Sequence, residues 1–209
     1  MDLDGTLVDS VSIWTDTKRQ FVEQFNRTPD LQFNESLAGL PVDAVVAAIK
    51  QHYHLAEPLE YLYPLFDRLI MTRLELAVTL PGGEELIAWL VELNITRAIV
   101  SNSNHLMQNV LLANKAWAAH IPIRISADDV STGKPEPEIY EYAAEKLKVS
   151  PKDCFVIEDS LSGVRAAVLA GMTCFAVTNG AEQFSEWTPY VFERLSEVGE
   201  FLKKVGQDI

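Results

Sequence analysis

Asp2 and Asp4 stand two residues apart at the front of the chain, and Gly5 and Thr6 follow at once. In extended backbone the side chains at i and i+2 point the same way, so both carboxylates face one cleft. Gly5 permits a sharp exit behind them. Three more polar groups follow apolar runs or loops: Ser101-Asn102, Lys134 and Glu158-Asp159. Carboxylates suit a hard cation such as Mg²⁺, which takes oxygen ligands and keeps waters or a phosphate in its shell. A lysine and a hydroxyl suit a phosphoryl group that gathers negative charge. One carboxylate can attack as a nucleophile, and a second can serve as general acid and base. Taken singly, each group has an ordinary reading as a turn, a helix N-cap, a dipole match or a solvated loop lysine. The string Asp-x-Asp-Gly-Thr is harder to dismiss, with a chance match in such a chain of roughly one in several hundred.

The elements that must position these groups fall into two parts. Residues 11–79 read as all-helical, with helices expected over 11–26, 41–52 and 57–77 and no strand between them. Leu80-Pro81-Gly82-Gly83 is punctuation. After it, helices at 84–93, 105–113, 136–148, 162–170 and 197–205 alternate with apolar strands at 97–100, 123–126, 154–157, 173–177 and 190–192. Apolar strands alternating with helices imply an α/β fold, a doubly wound parallel sheet. Residues 1–10 and 81–209 are expected to form the core domain, and 11–80 an inserted helical cap domain over the carboxyl ends of the strands, where such sheets bind ligands. The polar groups sit at those ends, so they converge. No strand precedes Asp2 in the sequence. Any strand that should deliver these carboxylates is therefore expected to be missing.

Composition narrows the partners. The 209 residues carry a formal net charge of −13, which argues against nucleic acid and anionic membrane surfaces. No apolar run reaches spanning length, and no secretory pattern opens the chain. Cys154 and Cys174 lie in apolar strand-like runs and read as reduced core residues, which points to the cytoplasm. The four histidines form no ligand cluster. In the helical part, Lys18, Arg19, Lys50, Arg68 and Arg73 are candidates for choosing a substrate, and each reads first as a solvated helix charge.

The segments DLDGTLVDS, IVSNS, STGKPEPEIY and VIEDSLSGVRAAVLAGM together resemble the haloacid dehalogenase superfamily. The likeness is to its branch with a helical cap after the first motif, which includes β-phosphoglucomutase and sugar-phosphate phosphatases. That resemblance implies Asp2 as nucleophile, Asp4 as general acid/base and Lys134 as the catalytic cation. It also implies Ser101 and Asn102 on the phosphoryl oxygens, and Mg²⁺ held by Asp2, the Asp4 carbonyl and Asp159, with Glu158 in or beside the shell. It further implies that the first motif ends the central strand, so the sheet is expected to lack that strand and the runs at 97–101 and 154–158 to lose a partner between them. Each buried backbone group left unpaired costs about 1–3 kcal/mol. The similar dehalogenases lack the second aspartate. The similar mutases carry a histidine where Trp14 stands here, and basic residues where Ala38 and Val42 stand. The implied function is therefore hydrolysis of a small phosphomonoester by a monomeric enzyme, with Trp14 shaping the pocket roof or packing in the cap. A phosphomutase and a chain without catalysis are the alternatives.

Overall fold

The computed structural model describes residues 1–178 and 183–205. Strand β1 (Val8–Asp9) leads into helices α1 (Val11–Glu23), α2 (Leu31–Ser36), α3 (Val42–His52) and α4 (Leu59–Leu74), and β2 (Val78–Thr79) follows. Then come α5 (Gly83–Glu92), β3 (Ala98–Ser101), α6 (His105–Leu112), β4 (Ile123–Ser126) and α7 (Glu138–Leu147). The chain continues through β5 (Phe155–Glu158), α8 (Leu161–Leu169), β6 (Thr173–Val177), β7 (Val191–Phe192) and α9 (Leu195–Val205).

Pairing is parallel between β3 and β4, between β5 and β6, and between β6 and β7. Residues Met1 and Asp2 fill the space between β3 and β5. The Met1 amine donates to Ala98 O at 2.9 Å, and Val100 N donates to Met1 O at 2.9 Å. Asp2 N donates to Ile157 O at 2.9 Å on the other side. The expected break between β3 and β5 is thus bridged at these positions by the first two residues themselves.

The strands alternate between two buried faces, as a sheet covered on both sides requires. Ile99, Ile157 and Phe175 join one apolar cluster with Leu86, Ile87 and Leu90 of α5 and Val198 of α9. Ala98, Val100, Val156, Cys174 and Ala176 join the other, with Ile139 and Ala143 of α7 and Val164 and Ala167 of α8. The first cluster continues into the helical layer through Phe21, Val46, Ile49, Phe66 and Ile70. There Phe66 meets Phe21 edge-on at 5.2 Å between ring centroids.

Two local expectations are corrected. Residues 11–79 are not wholly helical, because β2 pairs antiparallel with β1 (Val8 with Thr79, Asp9 with Val78). The two strands are far apart in sequence and two residues long, so neither shows a local period. Helix α2 was not expected; Asp30 starts it by accepting from Phe33 N at 3.0 Å. Cys154 lies just before β5 and is half-buried, whereas Cys174 is buried; both thiols are free.

Candidate active site

The four polar groups meet at the carboxyl ends of β3, β5 and the segment between them. Leu3 O accepts from both Leu7 N and Val8 N, which closes a turn directly after Asp4. Gly5 holds a φ of +84° in that turn, and a Cβ there would overlap the Asp159 carboxyl group. Ser101 ends β3, Glu158 ends β5, and Lys134 enters from the loop between β4 and α7. The N-cap of α6 is Asn104, which accepts from Met107 N at 2.9 Å, so Ser101 is free of the capping role.

Lys134 is the hub of the buried part, at 3% exposure. Its Nζ donates to Asp2 Oδ1 at 2.6 Å, to Glu158 Oε1 at 2.5 Å and to Val100 O at 2.9 Å. Burial works against the ammonium form. The charges of Asp2 and Glu158 outweigh it and lift Lys134 above its ordinary range. Tyr140 also donates to Glu158 Oε1, at 2.8 Å. Glu158 Oε2 accepts from Ser160 Oγ and from the backbone N–H groups of Asp159 and Ser160. Asn102 fixes the loop that carries the lysine: its Oδ1 accepts from Lys134 N and its Nδ2 donates to Lys134 O. The same Nδ2 donates to Gly39 O in the helical layer at 2.7 Å.

Asp4 is held by four donors. Ser10 Oγ (2.8 Å) and Trp14 Nε1 (3.0 Å) reach Oδ1. Ser101 Oγ (3.0 Å) and Ser103 Oγ (2.8 Å) reach Oδ2. Trp14 therefore does two things: its indole N–H orients Asp4, and its ring stacks on Phe66 with centroids 6.3 Å apart. Ser10, Ser103 and Tyr140 were not among the expected site residues.

Asp2, Glu158 and Asp159 each bring a carboxylate oxygen within 4.8 Å of the others. Their states differ. Both Glu158 oxygens are engaged by the donors above. Asp159 Oδ1 accepts from Thr6 Oγ1 at 3.0 Å. Asp2 Oδ2 is buried with no hydrogen-bond partner. Burial, opposed by Lys134 and reinforced by the Glu158 and Asp4 charges, pushes the Asp2 carboxyl up to about 7. Burial and the charges of Asp2 and Glu158 push Asp159 well above the usual carboxylate range. Four carboxyl groups face one ammonium here, all donors are oxygen, and one buried oxygen has no partner. That set fits a hard divalent cation.

Above these groups opens a cavity of about 270 Å³. Asp2, Asp4, Ser101, Asn102, Ser103, Lys134 and Asp159 line its floor, and Val11, Trp14, Leu37, Leu40, Val42 and Val45 line its apolar roof. Ala38 also lines it. Lys18 departs from expectation: it is buried and lines the cavity, where a solvated helix charge was expected. Arg19 pairs with Asp16 and Glu23 on the surface, and Lys50 donates to the carbonyls of Leu55 and Glu57.

The haloacid dehalogenase-like hydrolase family model matches residues 1–177. A bifunctional riboflavin kinase/FMN phosphatase of Arabidopsis thaliana is 30% identical over 193 residues, covering 90% of this chain. The chain spans 50% of that relative's length. Hexitol phosphatase A of Escherichia coli (strain K12) is 29% identical over 210 residues, 99% of this chain and 90% of the relative. Among solved structures, β-phosphoglucomutase of Clostridium difficile superposes with a TM-score of 0.87. It covers 99% of this chain and 95% of its own at 22% identity, a likeness of fold alone.

Proposed function

The chain belongs to the haloacid dehalogenase-like hydrolases, and from that premise we propose that it is a Mg²⁺-dependent phosphatase of a small phosphomonoester of sugar or polyol type. Relatives named as phosphatases of hexitols and of FMN support the reaction class. One observation carries it: Lys134 holds Asp2 by one oxygen, and the other oxygen is buried and unpartnered beside Asp159, on the floor of the cavity.

Asp2 attacks phosphorus, the bond from phosphorus to the alcohol oxygen breaks, and Asp4 gives that oxygen its proton. Asp2 then carries the phosphoryl group as an acyl phosphate. Asp4 takes a proton from a water whose oxygen attacks phosphorus, so inorganic phosphate leaves and the Asp2 carboxylate is restored. Lys134 offsets charge on Asp2 and on the phosphoryl oxygens. Ser101 turns its hydroxyl to those oxygens as Asp4 exchanges its serine donors for substrate, and Asn102 serves them from beside Lys134. Glu158 holds Lys134 in place. Asp2, Asp159 and the Asp4 carbonyl would hold the cation, which when bound offsets charge on the carboxylates and the phosphoryl group. Residues 11–80 act as the cap over a core of residues 1–10 and 81–209. Trp14, Ala38 and Val42 offer no cation for a second phosphate, which favours hydrolysis over a mutase reaction.

The test is phosphate release from p-nitrophenyl phosphate, with and without chelator. Asp2→Asn is expected to lose at least about a thousandfold in kcat, and chelator to abolish turnover until Mg²⁺ is restored. Metal-independent turnover, or full activity in Asp2→Asn, overturns the proposal.

A further inference from the structure

The proposed reaction accounts for the cavity floor and leaves unused the two charged groups on its roof, Lys18 and Glu35. Val11, Trp14, Thr15 and Lys18 recur at i, i+3, i+4 and i+7 along α1, so one helix face lies over the site. Lys18 is 5% exposed, and among the described residues its Nζ makes a single hydrogen bond, to Asn34 O at 2.6 Å. An ammonium has three N–H groups, so two are left without a protein acceptor. Glu35 lines the same cavity and forms no direct ion pair with Lys18. A buried donor with spare N–H groups and a carboxylate standing apart from it form a split pair. The remaining roof side chains named above are apolar, apart from Thr15 and the indole N–H of Trp14, which is engaged by Asp4.

We propose that Lys18 and Glu35 select the substrate by gripping a neutral hydroxyl group on the leaving alcohol, Lys18 donating to its oxygen and Glu35 accepting a hydrogen bond from its O–H. The pair is neutral in sum, so it disfavours a second anionic group at that position. The cavity volume of about 270 Å³ lies just below the usual range of about 300–1,000 Å³ for small-molecule sites, which points to a small substrate. The substrate class is then a hydroxylated alcohol carrying one phosphate and no second anion. This rests on the phosphatase reading and names the residues that set its specificity.

The experiment compares kcat/KM for sorbitol 6-phosphate, n-hexyl phosphate and 6-phosphogluconate with Mg²⁺ present. The three share a six-carbon chain and differ in hydroxyls and in a terminal carboxylate. Wild type is expected to favour sorbitol 6-phosphate over both others. Lys18→Met is expected to shrink the preference over hexyl phosphate by about ten- to a hundredfold, chiefly through KM, as for a lost hydrogen bond to a charged group. Glu35→Gln is expected to shift preference towards 6-phosphogluconate. Glu35 is exposed, so this variant tests the idea even where Lys18→Met folds poorly. Unchanged ratios in both variants, or a wild-type preference for hexyl phosphate or 6-phosphogluconate, overturn the assignment. A wild type inert towards all three, and towards p-nitrophenyl phosphate, overturns the phosphatase reading itself.

Discussion

Replacing Lys134 with methionine removes the cation shared by Asp2 and Glu158 while keeping the unbranched stem of the side chain. Glu158 is fully buried, at 0% exposure, so it cannot recruit water in its place. Breaking a buried ion pair from one side costs about 3–5 kcal/mol, because the remaining charge stays desolvated. Lys134→Met is therefore expected to lower unfolding free energy by that amount, measured by urea titration in chelator at neutral pH, and to abolish phosphate release. A variant as stable as wild type would show that the lysine serves only the substrate. The convergence of Asp2, Asp4, Lys134 and the Glu158-Asp159 pair was legible in the sequence, the first two from the Asp-x-Asp-Gly-Thr string and the others from the loop or apolar run that each follows. Ser10, Ser103 and Tyr140 were not. Their hydroxyl groups reach Asp4 and Glu158 through tertiary contacts, and Tyr140 occupies a core-facing position of α7 where its ring alone explains its presence. The one available signal was that a buried tyrosine hydroxyl needs a partner.

Helix α8 shows how an element is shaped by the residue it must approach. Ser160 caps it by accepting from Gly163 N at 3.1 Å, and Gly163 then lies against the Glu158 carboxyl group. Alanine is the better helix former by about 1 kcal/mol. A Cβ at 163 would overlap both Glu158 oxygens, and five donors from Lys134, Tyr140, Asp159 and Ser160 leave that carboxylate no room to shift. Overpacking of this kind costs about 1–3 kcal/mol, so the steric cost exceeds the propensity gain. Gly163→Ala is expected to be net destabilising in urea unfolding and to reduce turnover by displacing Lys134 through Glu158; a more stable variant would refute this. The long helices were readable from their apolar stripes. The β1–β2 pair was not, because its two short strands are partnered across some seventy residues of helix. Helix α2 is six residues long, too short for a period to show.

At the scale of the whole molecule, the alternation of strands and helices made the doubly wound α/β fold legible, whereas the bridging of β3 and β5 by Met1 and Asp2 was not. Two backbone residues supply those hydrogen bonds, and no side-chain pattern reports them. That junction is where the acidic groups meet, so charge at the site bears on the stability of the fold. A cation bound there would link the first residues to the end of β5 and offset the burial and the mutual repulsion that raise Asp2 and Asp159. At a hundredfold excess over its Kd, a ligand selective for the native state adds about 2.7 kcal/mol. For about 200 residues, each kcal/mol raises Tm by about 2–4 °C. Mg²⁺ is therefore expected to raise the Tm of wild type by about 5–10 °C over chelator-treated protein. Asp159→Asn moves the two states in opposite directions. It removes a ligand, so the Mg²⁺ shift disappears. It also removes a half-buried acid that Asp2 and Glu158 repel, so the metal-free variant melts no lower than metal-free wild type. A purely structural role for Asp159 predicts the reverse, a lower metal-free Tm with the Mg²⁺ shift intact, and thermal melts of the two proteins with and without Mg²⁺ separate the cases without recourse to activity.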